Sequence, residues 1–193
     1  MRRGLVLLLG GLTLAGGVPA GAEGDPEAGR AVAGMCRTCH GLDGYARIPL
    51  APHIGGEPEA YLAAQLTAFK TGARAHEMMT IVAGGLSETQ IADVSAWYAA
   101  HVAKATLPEG ADPADAPAGC VGCHGADGLA RAADAPHLAG EVNVYVATQL
   151  KAFRTGRRTH AVMSPIAAEL SDAEIEAAAD WYAAIALEIA PPG

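Results

Sequence analysis

The stretch Cys36-Arg37-Thr38-Cys39-His40 returns as Cys120-Val121-Gly122-Cys123-His124, and the reading of this one motif decides the fold. The repetition continues outward from it at the spacing that separates Cys36 from Cys120. Ala51-Pro52-His53 recurs as Ala135-Pro136-His137, and Tyr61, Gln65, Leu66 and Phe69 recur as Tyr145, Gln149, Leu150 and Phe153. Met79 meets Met163, Leu86-Ser87 meets Leu170-Ser171, and Trp97-Tyr98 meets Trp181-Tyr182. A fixed offset held over so many positions without a gap marks a tandem duplication. The first domain is placed at residues 23–104, a linker at 105–119 and the second domain at 120–193. Pro108, Gly110, Pro113 and Pro117 interrupt any periodic pattern in the linker.

Each copy carries two helical patterns. The first follows Pro58, aligns Tyr61, Leu62, Gln65, Leu66 and Phe69 on one face, and stops at Gly72. Its counterpart presents Tyr145, Val146, Gln149, Leu150 and Phe153. The second opens on Ser87 with Gln90 three residues on, a capping-box pattern repeated by Ser171 and Glu174. In the second copy this terminal helix is drawn over residues 171–187. A further helix over Pro26 to Met35, capped by Asp25, belongs to the first copy alone. No stretch alternates with a strand period for long, so the fold class is all-α.

Composition bounds the chain from another side. It is 51% hydrophobic but only 5% aromatic, with 2 Phe and 2 Trp in 193 residues. A small helical domain so short of bulky side chains needs something else to fill its centre, and a large flat cofactor serves. Arg2 and Arg3, the apolar run from Leu5 to Leu14 and the small residues ending in Ala20-Gly21-Ala22 read as a signal peptide over residues 1–22, which places the mature chain in the periplasm. The formal net charge is −8, and removal of Arg2 and Arg3 makes the mature chain more negative still. Such a surface excludes nucleic acid as a partner and leaves membrane contact to partner proteins.

All four cysteines lie in the two Cys-x-x-Cys-His motifs. In this spacing two thiols add to the two vinyl groups of one haem, and the adjoining histidine stands beneath the iron. A four-cysteine zinc site leaves the adjacent histidine unexplained twice, and a thioredoxin-like pair needs a strand-helix context that is missing. The reading is therefore two covalently attached haem c groups, held by Cys36 and Cys39 and by Cys120 and Cys123, with His40 and His124 on the irons.

A second axial ligand is expected from methionine, whose thioether raises the reduction potential. Met78 aligns with Val162 whereas Met79 aligns with Met163, so Met79 and Met163 are the pair that can serve both copies alike. His53, His76, His137 and His160 also recur, but His53 and His137 follow a proline in loops and His76 and His160 precede the methionine segment. They are read as partly exposed or as hydrogen-bonded to haem propionate. His101 has no counterpart and is read as a surface residue.

With these residues in place the chain resembles the two-haem class I cytochromes of the cytochrome c4 type, and more distantly the haem subunit of flavocytochrome c sulfide dehydrogenase. The resemblance rests on both haem motifs, the Cys-His-Gly-x-Asp-Gly runs Cys39–Gly44 and Cys123–Gly128, the Ala-Pro-His-x-x-Gly segments and the methionine-to-Leu-Ser spacing. It implies two tandem class I cytochrome c domains, packed face to face, that pass single electrons between a respiratory donor and a terminal oxidase or reductase. The partners are then redox proteins, membrane-bound ones included. The alternative roles are the haem subunit of a periplasmic sulfide dehydrogenase and, further off, a dihaem peroxidase. The resemblance also implies that the carbonyls of Pro52 and Pro136 rest against the axial histidines, and that Trp97, Tyr98, Trp181 and Tyr182 pack on the terminal helices. There is one departure: the segment before Cys120 has no counterpart to the helix opened by Asp25-Pro26.

Overall fold

The computed structural model describes residues 24–192. The signal peptide read over residues 1–22 lies outside them. Five helices build the first half: α1 (Pro26–Ala33), α2 (Arg37–His40), α3 (Glu59–Thr71), α4 (Glu77–Gly84) and α5 (Glu88–Ala99). A strand, β1 (Val102–Thr106), leads to the second half, which consists of α6 (Val121–His124), α7 (Asn143–Arg154), α8 (Met163–Ala168), α9 (Asp172–Ala183) and β2 (Ala186–Ala190).

Local chemistry explains most boundaries. Asp25 caps α1 by accepting from the N–H groups of Glu27 and Ala28. The reciprocal capping boxes form at both expected places, Ser87 with Gln90 and Ser171 with Glu174. Gly72, at φ 80°, turns the chain out of α3 in a conformation that costs glycine little.

Helix α1 lies across α5, so closely that a Cβ on Gly29 would stand 1.9 Å from the Asp93 carbonyl oxygen. Val32, Ala33, Leu62, Leu86, Ile91, Val94 and Tyr98 form the core beneath that crossing. The second half has no such helix. Before Cys120 there is only a single 3-10 turn, Pro113–Asp115, because prolines remove backbone donors from the segment. Ala105 and Leu107 take over part of the cover, packing with Trp181, Tyr182 and Ile185.

The fold is predominantly helical, as expected, and adds one small two-stranded sheet where the terminal helix stops short of its expected end. Helix α9 ends at Ala183 rather than 187, and the following residues form β2, which pairs antiparallel with β1. Five-residue strands carry too little alternation to stand out in a sequence, and these two stabilise each other across a large sequence separation. Val102 pairs with Ala190 and Thr106 with Ala186, so each strand meets its own repeat counterpart about a local two-fold axis. Two copies of one sequence thus pack isologously, as subunits of a symmetric dimer do.

Candidate haem sites and the contact between the halves

Each Cys-x-x-Cys-His motif forms one turn of helix, α2 or α6, which brings both thiols and the histidine into a single local unit. None of the four cysteines is paired in a disulfide. Burial pushes the Cys36 thiol up to about 11 and raises that of Cys120 as well. His40 and His124 are buried. The Nδ1–H of His40 donates to the Pro52 carbonyl at 2.9 Å, and that of His124 donates to the Pro136 carbonyl at the same distance. Burial lowers the pKa of both rings against the opposing effect of these bonds. A neutral imidazole anchored through Nδ1 keeps its Nε2 lone pair available for a metal.

The loop after each motif is fixed with equal care. Tyr98 OH donates to the Gly41 carbonyl and Trp97 Nε1 to that of Leu42, while Tyr182 and Trp181 do the same to Gly125 and Ala126. These aromatics therefore pack and clamp. At Gly44, with φ 85°, a Cβ would lie 2.2 Å from the Gly55 nitrogen, so only glycine lets the loop approach the segment that follows Pro52.

Met79 and Met163 occupy matching, half-buried places at the starts of α4 and α8. Met78 and its counterpart Val162 point outward, 60% and 47% exposed. His76 and His160 turn out to be backbone anchors: the Nδ1 of each accepts from the methionine N–H, at 3.4 and 3.3 Å. No strong capping residue marks these helices in the sequence, which is why they were not expected.

Other histidines are held by contacts that their reading did not include. His53 is buried, and both its ring nitrogens are engaged, Nδ1 accepting from Ala46 N–H and Nε2 donating to the Gly140 carbonyl of the other half. His137 likewise accepts from Ala130 and donates to Gly56. Neither ring has a nitrogen left for a propionate. His101 is buried at 5% exposure, bonded through Nδ1 to the Trp97 carbonyl and edge-on to its indole, rather than lying on the surface.

The halves meet through residues for which the sequence raised no functional expectation. Arg74 bonds to Gln65 and to Gln149 at 2.7 and 2.8 Å, and Arg158 bonds to Gln149 and to Gln65 at 2.8 and 2.9 Å, closing a ring of four side chains across the contact. Glu57 accepts from the His137 N–H, and Glu141 from the His53 N–H. Both carboxylates are only 3% exposed. Burial raises their pKa values, that of Glu141 to about 8, and the two carboxylates repel one another. Recurrence of Arg74 as Arg158 and of Glu57 as Glu141 was the signal that could have found them.

Two unpaired thiols, an Nδ1-anchored histidine and a half-buried methionine, present twice, fit haem c in donor chemistry. The architecture and the doubled site define a dihaem c-type cytochrome. The sequence pattern of the family described as cytochrome C oxidase, cbb3-type, subunit III matches residues 109–181. Cytochrome c4 of Pseudomonas aeruginosa is 36% identical over 198 residues, covering 94% of this chain and 98% of that protein. The thiosulfate dehydrogenase electron acceptor of Thiomonas intermedia is 32% identical over 173 residues, 79% of each chain. Among solved structures, reduced recombinant cytochrome c4 from Pseudomonas stutzeri superposes with a TM-score of 0.72 at 32% identity, covering 84% of this chain and all of that one. The chain belongs to the cytochrome c4 family. It is an electron carrier with two covalently bound haem c groups, and its partners are redox proteins.

Proposed function

We propose that this cytochrome works in the periplasm, taking single electrons from a respiratory donor and passing them to a membrane-bound oxidase or reductase. Cys36 and Cys39 would hold the first haem, with His40 and Met79 as the donors available to its iron, and Cys120 and Cys123 would hold the second, with His124 and Met163. The observation that carries the ligand reading is the matched pair of anchors. In both halves a proline carbonyl fixes the histidine at Nδ1 and a histidine ring fixes the methionine backbone. Residues 1–22 direct export. Among the described residues no helix is long and apolar enough to cross a membrane.

The haem supplies the reversible one-electron couple; the chain supplies the rest. His40 and His124 present Nε2 in a fixed tautomer, Met79 and Met163 would supply thioether donors, and the Trp and Tyr clamps hold the loop around each motif. Side chains anchored in this way would let a bound haem change its charge with little movement of the chain.

A second reading makes the chain the dedicated acceptor of a sulfur-compound dehydrogenase, favoured by its likeness to the thiosulfate dehydrogenase electron acceptor. Stopped-flow reduction by periplasmic extract separates the two. A carrier is reduced by several respiratory donors, whereas a dedicated acceptor is reduced only when thiosulfate or a similar sulfur compound is supplied.

A further inference from the structure

The peptide group between Pro52 and His53 is held from both sides. Its carbonyl accepts from His40 Nδ1–H at 2.9 Å, and its N–H donates to Glu141 Oε1, in the other half, at 2.8 Å. The peptide between Pro136 and His137 repeats the arrangement: its carbonyl accepts from His124, and its N–H meets both oxygens of Glu57, at 3.0 and 2.9 Å. The grip has a second point in each direction, because the His53 ring donates to the carbonyl of Gly140, next to Glu141, and the His137 ring to that of Gly56, next to Glu57.

We propose that Glu57 and Glu141 are crossed positioning residues, each tuning the axial histidine of the opposite half through the Pro-His peptide that both groups share. The peptide is a conjugated unit, so an acceptor on its N–H shifts electron density towards its oxygen. Hydrogen bonds linked in this way strengthen one another by roughly 10–30% each. A stronger acceptor on Nδ1–H gives the histidine more anionic character, which favours oxidised iron and lowers the potential. Both glutamates are almost wholly buried, so water does not replace them as acceptors. An N–H within one half could have been satisfied by that half; here the acceptor always comes from the other. Docking of the halves therefore sets both potentials.

This inference rests on the reading of His40 and His124 as axial ligands. Its test is a redox titration of the full-length holoprotein followed by NMR, which resolves the two haems through their ligand resonances. Glu141→Ala should raise the reduced-to-oxidised ratio of the first haem by about two- to twentyfold at fixed potential, the range expected when a hydrogen bond in an apolar interior changes strength by roughly 10–30%, and leave the second unchanged. Glu57→Ala should do the converse. Glu141→Gln, which keeps a neutral acceptor, should restore most of the wild-type ratio. If the alanine variants do not retain both haems, Glu141→Asp, which draws the carboxylate back, must show the same crossed shift at smaller size. A shift in the glutamate's own half, equal shifts in both haems, or none would overturn the proposal. Failure of the ligand reading is separately visible, because the hyperfine-shifted imidazole resonances of the wild type would then belong to histidines other than His40 and His124.

Discussion

Lys104 on β1 stands directly opposite Glu188 on β2, at the midpoint of the antiparallel ladder, and the two residues occupy the same place in the repeat. A residue that faces its own counterpart lies on the local two-fold axis. The duplicated gene product has used that axis to place a cation against an anion, where two identical chains would have set like against like.

Lys104→Glu should therefore be destabilising, since it puts two exposed carboxylates opposite one another. The cost should be about 0.2–1 kcal/mol at low ionic strength, falling with added salt. Thermal denaturation of the single variant and of Lys104→Glu with Glu188→Lys checks this. The double exchange should recover most of the loss.

Arg158→Ala removes bonds to Gln149, Gln65 and the Tyr61 hydroxyl at once. The loss should exceed that of an ordinary surface substitution and reach about 1.5–3 kcal/mol, the range for hydrogen bonds to a charged group. Because Arg74 shares both glutamines, Arg74→Ala and Arg158→Ala should not add, and a double-mutant cycle by calorimetry measures the coupling.

Glu141 carries a pH dependence of known sign. Its folded pKa, about 8, lies above the usual carboxylate value, so the folded state holds a proton that the unfolded state releases earlier. Its contribution is fully present below the unfolded value near 4.5 and is lost as pH rises towards 8. The lowered pKa of His53 works oppositely, its contribution being present above 6.5 and lost as pH falls. The difference between Glu141→Gln and wild type isolates the carboxyl group. The melting temperature of the variant should gain on that of the wild type between about pH 5 and 8.

Met79→Ala and Met163→Ala should each open one iron, lower its potential and admit carbon monoxide to the reduced form. Met78→Ala should leave the sulfur-to-iron charge-transfer band intact, as its side chain is 60% exposed. If Met78→Ala halved that band while Met79→Ala kept it, the first-half ligand would move by one residue.

Much of this molecule was legible from its residues. The repeat gave the doubled site, Ser87 with Gln90 and Ser171 with Glu174 gave two helix starts, and the prolines before Cys120 gave the missing helix. The features that escaped share a cause: each is completed by something far away in the chain. Val102–Thr106 becomes a strand only because Ala186–Ala190 lies beside it. His53 and His137 read as loop residues until the other half engages their rings. Glu57 and Glu141 look like solvated charges until the contact buries them. His76 and His160, by contrast, act locally, but a histidine ring is an unusual helix cap and gave no recognisable signal.

Electron paramagnetic resonance of the fully oxidised protein tests the central claim most directly. Two irons closed by histidine and methionine must both be low-spin, leaving no position for a substrate. The account predicts low-spin ferric signals integrating to two spins per chain. A high-spin signal integrating to one would contradict it, because that iron would then lack one of its two protein ligands and have a position open to substrate.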